Sequence, residues 1–209
     1  MAKKQKTRCA ILGLLSWQPM SGYDIKKLIE MGLQHFWNES YGQLYPTLNQ
    51  LVTEGLATRK EGVGTGRRSR HVYSITPKGR RVFADWLMEP TVSVPVRNEF
   101  LLKFFLTGRQ DASESSRLIE EYQIQEQARL EAFTMSEQVL RKALRQNTYP
   151  EELADLTGPP EDDSNQLLVF LLSLTHGIRL TEARLAWCGE ALRSLRSRKR
   201  QNSTKKRST

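Results

Sequence analysis

Ser40-Tyr41-Gly42-Gln43-Leu44-Tyr45-Pro46-Thr47-Leu48 is the stretch of this 209-residue chain that decides the fold. Its two leucines, followed by Leu51 and Val52, have the i, i+4, i+7, i+8 spacing that predicts one buried face of a helix. Its first four residues match the spacing of a capping box, and Gly55 suits the end of the helix. Pro46 disfavours a helix interior, so the regular helix either starts at the first of these leucines or has a distorted first turn.

A β-hairpin is predicted directly after this helix. Leu56–Glu61 and Arg70–Thr76 are short alternating or β-branched runs, and a glycine-rich segment over 62–66 lies between them. This segment superficially resembles a phosphate-binding loop, but the Lys-Ser/Thr pair that would follow is missing, which favours a hairpin tip. Three arginines fall at or beside that tip: Arg67, Arg68 and Arg70.

Two helices are predicted before this stretch and one after the hairpin. Apolar residues within 10–15 share one helical face. Ser21-Gly22-Tyr23-Asp24 matches a capping box that would start the second helix, and Thr76-Pro77 would start the fourth. Three helices, a hairpin and a further helix are the order of a winged helix-turn-helix domain. The predicted fold class is therefore mainly α with a small β-hairpin, followed by an α-helical dimerisation domain.

The second half of the chain is predicted to be helical, with one polar break. Asp111-Ala112-Ser113-Glu114 matches another capping box, and the helix after it could continue to about Arg145. Charges such as Glu126 interrupt its apolar stripe, which predicts that part of this helix is solvated. Residues 149–163 are polar and proline-rich, which predicts a loop.

The last helix has the most regular pattern in this half. Apolar or small residues step by four and three over four heptads, which predicts that the helix packs along another helix. We interpret this seam as the contact of a homodimer, and packing within one chain is the alternative. The residues assigned to dimerisation are Leu167, Leu171, Leu174, Ile178, Leu185 and Leu192, and Thr181, Cys188 and Leu195 continue the spacing.

Four segments follow from these patterns. They are a winged-helix domain over 1–89, a proline-bounded linker over 90–96, a helical dimerisation and effector domain over 97–195, and a basic tail over 196–209 that is expected to be disordered.

Charge is unevenly distributed along the chain, whose formal net charge is +9. Residues 1–90 carry 14 Lys and Arg against 7 Asp and Glu, residues 91–192 carry 10 against 16, and residues 193–209 carry 8 against none. The basic N-terminal part has the sign needed to contact phosphates, although a surface that only confers solubility would fit equally well.

Two further features bear on the location of the protein. No apolar run is long enough for a membrane span or placed as in a signal peptide. Cys9 and Cys188 lie on apolar periodic stretches, which is typical of buried thiols. These features predict a cytoplasmic protein that does not bind a membrane.

Residues 9–88 resemble the PadR family of bacterial transcriptional regulators in the order and spacing of five motifs. The later part of the chain is similar, by layout, to the branch with a long helical C-terminal domain. The resemblance implies a dimeric winged-helix repressor, or occasionally an activator, and some members bind aromatic or hydrophobic effectors. The basic tail is not part of the family pattern. The motifs are Ala10–Leu15, Ser21–Ile25, Gly42–Leu48, Leu51 with Glu54–Leu56, and Tyr73–Gly79.

Double-stranded DNA is the partner that these features indicate. Amide and aromatic side chains on the third helix could contact base edges, the second helix could offer backbone amides to a phosphate, and the arginines at the hairpin tip could hold phosphates or enter the minor groove. The third helix has no Lys or Arg, so affinity must come from elsewhere. For the arginines the alternative is a solvated side chain, and for the tyrosines a half-buried one. The predicted DNA-binding residues are Ser21, Gly22, Tyr23, Ser40, Tyr41, Gln43, Tyr45, Pro46, Thr47, Arg67, Arg68 and Arg70.

Catalysis and metal binding are not indicated. The histidines, His35, His71 and His176, lack the spacing of a metal site, and the nucleophile and dinucleotide motifs are missing. We therefore expect no enzymatic activity, no metal and no cofactor. The alternative function is a protein-interaction module whose winged helix no longer distinguishes DNA sequences.

Overall fold

The computed structural model describes residues 3–33, 36–37, 41–62, 70–91, 97–109, 112–158 and 163–207. These residues form helices α1 to α8, strands β1 to β3, a π-helical turn and two 3₁₀ turns. In chain order they are α1 (Lys3–Trp17), β1 (Met20–Ser21), α2 (Gly22–Leu28), the π turn (Ile29–Leu33), a 3₁₀ turn (Tyr41–Gln43), α3 (Leu44–Thr53), β2 (Ala57–Gly62), β3 (Arg70–Ile75), α4 (Pro77–Met88), α5 (Glu99–Leu106), a 3₁₀ turn (Thr107–Arg109), α6 (Ala112–Gln146), α7 (Glu151–Thr157) and α8 (Asp163–Arg207).

The predicted hairpin is present, and a third strand extends it. β2 and β3 pair antiparallel with Arg59 opposite Tyr73, and β1 pairs on the other side of β3 with Met20 opposite Tyr73. The two-residue β1 was not predicted, because two residues are too short to show alternation.

The second and fourth helices start as their local chemistry predicts. The Asp24 N–H donates to the Ser21 hydroxyl at 3.2 Å, and the Ser21 N–H donates to the Asp24 carboxylate at 3.0 Å, so the capping box of α2 is complete. At α4, the Thr76 hydroxyl accepts from the Gly79 N–H at 3.0 Å and Pro77 occupies the first helical position.

The two ends of α3 differ in how well they were predicted. The regular helix begins at Leu44 after a 3₁₀ turn, so Pro46 lies in the first turn, where its missing N–H has no intrahelical partner to lose. Gln43 is the N-cap and makes no side-chain capping bond, and Ser40 lies outside the described residues. At the other end, Gly55 has φ +68° and the chain leaves α3 with the hydrogen bonds of a Schellman motif.

The chain forms two compact units, Met1–Val92 with Lys142–Phe170, and Ser93–Arg141 with Leu171–Thr209. The predicted boundaries of the winged-helix domain (1–89), the linker (90–96) and the helical domain (97–195) concern which segments fold independently. These boundaries remain predictions. The core of the first unit is an apolar cluster from α1, α2, α3 and the sheet, to which α7 adds Leu156. α7 lies within the segment predicted as a loop, so that prediction was wrong for Glu151–Thr157. One buried leucine in seven residues is too short a pattern to reveal a helix.

In the second unit, aromatic side chains pack beside the buried residues Ile119, Cys188 and Leu192. The rings of Phe100 and Tyr122 stack at 3.9 Å between centroids. α6 spans 35 residues and ends near Arg145 as predicted, while Asp111 lies outside the described residues.

Glu126 differs from the prediction that charge marks a solvated part of α6. The residue is only 1% exposed. Its carboxylate accepts from Arg129 Nη1 at 2.7 Å and from Arg184 Nη1, on α8, at 3.3 Å. Pairing with two arginines allows this carboxylate to be buried, because its negative charge is compensated by two cations that themselves remain partly in water.

The predicted dimerisation seam of α8 is covered within the single chain. Five of the six assigned residues are buried and Leu185 is partly buried, so the chain itself covers the surface that they would offer to a partner. The seam therefore packs within one chain, which was the alternative interpretation. Heptad spacing shows that a helix is covered along one side, but it does not distinguish a partner chain from the same chain. The buried five are Leu167, Leu171, Leu174, Ile178 and Leu192.

A different side of α8 remains apolar and exposed. Leu168, Val169, Leu172 and Leu180 are about half exposed, and at 3.6 residues per turn they lie opposite the buried seam. We call these four residues the exposed α8 stripe.

α8 is also longer than predicted. It continues through Arg207, so residues 196–207 of the tail are helical rather than disordered. Glycine and proline are both missing after Gly189, and arginine, lysine and glutamine favour helices, so the sequence has no strong helix breaker there. No helix among the described residues has the length and hydropathy to cross a membrane.

Candidate nucleic-acid interface

α3 has one buried and one exposed face. Leu44, Leu48 and Leu51 are buried, while Gln43, Pro46 and Asn49 are exposed and Tyr45 is 55% exposed. The exposed side chains contribute little to the core, so their amide and aromatic groups remain available for a ligand.

Thr47 was predicted on the exposed face, and this was wrong. It is 3% exposed. Position 47 is three residues after Leu44 and four before Leu51, so helical geometry places it on the leucine side. The prediction gave too much weight to the polarity of threonine.

Tyr45 lies against the start of α2. A Cβ atom added to Gly22 would be 2.6 Å from Tyr45 Cε1, so the missing side chain of Gly22 makes room for the ring. Gly22 and Ser21 are themselves buried, and the Ser21 hydroxyl is occupied by the capping box. The next residue, Tyr23, is 62% exposed. The fold thus brings the 21–23 motif and the third-helix motif together at Gly22 and Tyr45.

The strand leading to the hairpin tip is linked to α3. Arg59 is exposed on β2, and its Nη1 donates to Asn49 Oδ1 at 3.4 Å. Lys60 follows on the same strand and is also exposed. Asn49 was missed by the sequence analysis, although its position, four residues after Tyr45 on the same helical face, was a usable signal.

Several predicted residues cannot be placed in this surface. Ser40, Arg67 and Arg68 lie outside the described residues. Arg70 begins β3 and Tyr41 begins the 3₁₀ turn, but the side chains of both lie outside the described set.

The C-terminal end of α3 is anchored by polar contacts around Glu54. The Glu54 carboxylate accepts from Gln50 Nε2 at 2.7 Å and forms an ion pair with Arg8 of α1. The Glu54 carbonyl accepts from Lys78 Nζ, on α4, at 2.9 Å. A cation at this end also complements the helix dipole. The Gln50 side chain is therefore held against the end of its own helix.

The chemistry of this surface suits a nucleic acid. The Gln43 amide has the donor and acceptor pair that can bind an adenine edge, and Arg59 and Lys60 supply cations for phosphates. The described residues contain no group of His, Cys, Asp and Glu that could hold a metal ion. Burial raises the pKa of the Cys9 thiol and that of the Cys188 thiol, so both thiols are kept in the neutral, unreactive form.

Comparison with known proteins agrees with this geometry. Residues 11–85 match the transcriptional regulator PadR-like family, and residues 96–196 match the virulence activator alpha C-terminal family. The negative transcriptional regulator PadR of Bacillus subtilis (strain 168) is 32% identical over 122 residues, which are 58% of this chain and 67% of the relative.

Solved structures of a PadR regulator have the same fold over most of this chain. Bacillus subtilis PadR in complex with operator DNA superposes with a TM-score of 0.70 at 25% identity, covering 90% of this chain and 98% of that one. The same protein in complex with p-coumaric acid superposes with a TM-score of 0.65 at 25% identity, covering 90% and 97%. The resemblance and the winged-helix fold class inferred from the sequence are thereby confirmed, and this chain belongs to the PadR-like family of transcriptional regulators.

Proposed function

We propose that this protein is a sequence-specific DNA-binding repressor that binds a pseudo-palindromic operator as a homodimer. The observation that carries the proposal is the exposed face at the start of α3, where Gln43, Tyr45 and Asn49 are exposed and Asn49 is hydrogen-bonded to Arg59 of β2. A relative of 32% identity is named a negative regulator, and its structure with operator DNA has the same fold.

Base recognition and phosphate binding are assigned to different elements. Gln43 contacts a base edge from α3, because a carboxamide can pair with adenine through two hydrogen bonds. Arg59 and Lys60, with Arg67, Arg68 and Arg70 expected from the sequence, bind phosphates and so contribute affinity that depends weakly on sequence. Tyr23 of α2 and Tyr45 of α3 position these two helices on the phosphate backbone of the DNA.

The homodimer is assigned to apolar surface that the chain leaves exposed. Beyond the exposed α8 stripe, α5 exposes four large apolar side chains and α6 exposes three more. Isolated exposed apolar residues are ordinary, but stripes along helices mark an interaction surface. Leu172 and Leu180 of the stripe belong to the second unit, as do these side chains of α5 and α6. The additional residues are Leu101, Leu102, Phe105, Leu106, Ile124, Met135 and Val139.

An aromatic or hydrophobic effector would release the operator in this proposal. Its support is the relative whose structure contains p-coumaric acid, and a hydroxycinnamic acid is therefore the first compound to test. A lower operator affinity on adding p-coumaric acid would support effector release. An unchanged operator affinity across a set of aromatic acids would contradict it.

The operator can be found with the protein itself. Purified protein should retain a small set of genomic fragments, including the region upstream of its own gene, and footprinting should show two half-sites about one helical turn apart. Retention of all fragments equally, or of none, would favour the alternative in which the winged helix no longer distinguishes DNA sequences.

Gln43→Ala tests the role of α3. It should weaken operator binding by about 1–3 kcal/mol, because a bidentate base contact is lost, and leave binding to random duplex nearly unchanged. Gln138→Ala is the matched control, since Gln138 is also an exposed helical glutamine but lies on α6. Fluorescence anisotropy with both DNAs gives the two affinities. An equal loss on operator and random duplex would make Gln43 a positioning contact rather than a base contact.

A further inference from the structure

The last turns of α8 carry an unusual concentration of positive charge. Residues 193–207 contain eight Lys and Arg, and the last acidic residue of the chain is Glu190. At 1.5 Å per residue these fifteen residues extend over about 22 Å of helix. The positions are Arg193, Arg196, Arg198, Lys199, Arg200, Lys205, Lys206 and Arg207.

Residues 196–207 of this segment have no apolar side chain with which to dock. Leu195 is the last apolar residue, and residues 196–209 consist of Arg, Lys, Ser, Thr, Gln and Asn alone. Insertion at a membrane surface and coiled-coil pairing both require an apolar face. Recognition by this segment must therefore rest on charge and hydrogen bonding.

The described side chains of the segment are those of Arg193 to Arg198, and their positive charge is weakly compensated. Arg193, Arg196 and Arg198 are exposed. Arg196 reaches Glu120 of α6 at 4.0 Å, but both side chains are more than half exposed, and such a pair contributes little. The charges of these three described arginines are thus available to an external polyanion.

We propose that residues 196–207 bind the phosphate backbone of duplex DNA without distinguishing its sequence, as a second contact separate from α3. Duplex DNA carries one negative charge per about 1.7 Å of axis, which is the partner best matched to seven cations on about 18 Å of helix. The inference rests on the proposed DNA binding. It adds an electrostatic anchor that raises affinity for the operator and for random duplex by the same factor.

The test neutralises six of these cations in the full-length protein. Arg198, Lys199, Arg200, Lys205, Lys206 and Arg207 are replaced by Gln, which preserves helix propensity and leaves the Arg196–Glu120 pair intact. Operator and random duplex should both lose at least about tenfold in affinity at low salt. The slope of log K against log salt should fall by roughly 2–5 units per chain, because each phosphate contact contributes about 0.9.

Two controls separate the effect of charge from other effects. Arg198→Lys with Arg200→Lys and Arg207→Lys keeps the charge and should bind both DNAs like the unmodified protein. Gln43→Ala should reduce operator binding alone, so failure of the α3 assignment and failure of the tail assignment give different results.

Three outcomes would overturn the proposal. The first is an unchanged salt slope in the six-residue variant. The second is a loss confined to the operator. The third is a lowered thermal stability with normal DNA affinity, which would show that the segment instead neutralises the acidic residues of α6. Co-sedimentation of the unmodified protein, but not the variant, with phosphatidylglycerol vesicles, together with unaltered DNA binding, would assign the segment to anionic lipid.

Discussion

Leu172→Glu together with Leu180→Glu is expected to convert the proposed dimer into a folded monomer whose operator affinity is lower by at least about 100-fold. Both leucines belong to the exposed α8 stripe, where a solvated carboxylate is tolerated in a monomer. In a dry dimer contact the same carboxylates would be unpaired and would cost several kcal/mol. The affinity falls because two linked half-sites are bound far more tightly than one, typically by 10²–10⁴.

A matched control lies two residues away. Leu174 is 8% exposed whereas Leu172 is 58% exposed, so Leu174→Glu should disrupt the fold of the second unit rather than its association. Sedimentation gives the oligomeric state and circular dichroism gives the helix content of each variant. If the Leu172/Leu180 variant remained a dimer, the dimer contact would have to involve α5 or α6 without the stripe.

The second large effect is expected at Gly79, where Gly79→Ala should lower the free energy of unfolding by about 3 kcal/mol or more. A Cβ atom at this position would collide with the Leu56 carbonyl oxygen and lie 2.9 Å from Ile75 Cγ1. The Leu56 carbonyl cannot easily move, because it accepts a hydrogen bond from the Thr76 N–H at 3.0 Å. The first turn of α4 would have to shift away from the sheet.

Thermal unfolding measures this effect, and Gly108→Ala is the control. A Cβ atom at Gly108 meets nothing within 4 Å, and Gly108 is not among the glycines with positive φ. The Gly79 variant should melt roughly 6–12 °C lower than the unmodified protein, and the Gly108 variant within about 2 °C of it. Equal melting temperatures for the two variants would mean that α4 packs less tightly than the distances at Gly79 require.

Elements with local chemical signals were predictable from the sequence. Ser21 with Asp24, Thr76 with Pro77, and Gly55 each satisfy backbone groups within a few residues, so their roles follow from short motifs. The leucine stripe of α3 likewise identified its buried face, with Thr47 as the exception.

Features that depend on distant residues were not predictable. Glu126 is buried because Arg184, fifty-eight positions later, reaches its carboxylate, and no spacing along α6 reveals that contact. Which part of the structure covers the predicted seam of α8 likewise depends on tertiary packing and not on the spacing along the helix. The hydrogen bond between Arg59 and Asn49 is a further example, because it forms only when β2 lies beside α3, although the spacing from Tyr45 already placed Asn49 on the exposed face.

The contact between Tyr45 and Gly22 has a consequence for attempts to redirect this protein to a new operator. The ring occupies the space that a side chain at position 22 would need, so the two positions are not independent variables. A side chain at position 22 requires the Tyr45 ring to turn aside, and so changes what the ring presents to a ligand. A small residue at position 45 removes that conflict and makes room for a side chain at position 22. New specificities at this surface are therefore best sought in libraries that vary positions 22 and 45 together.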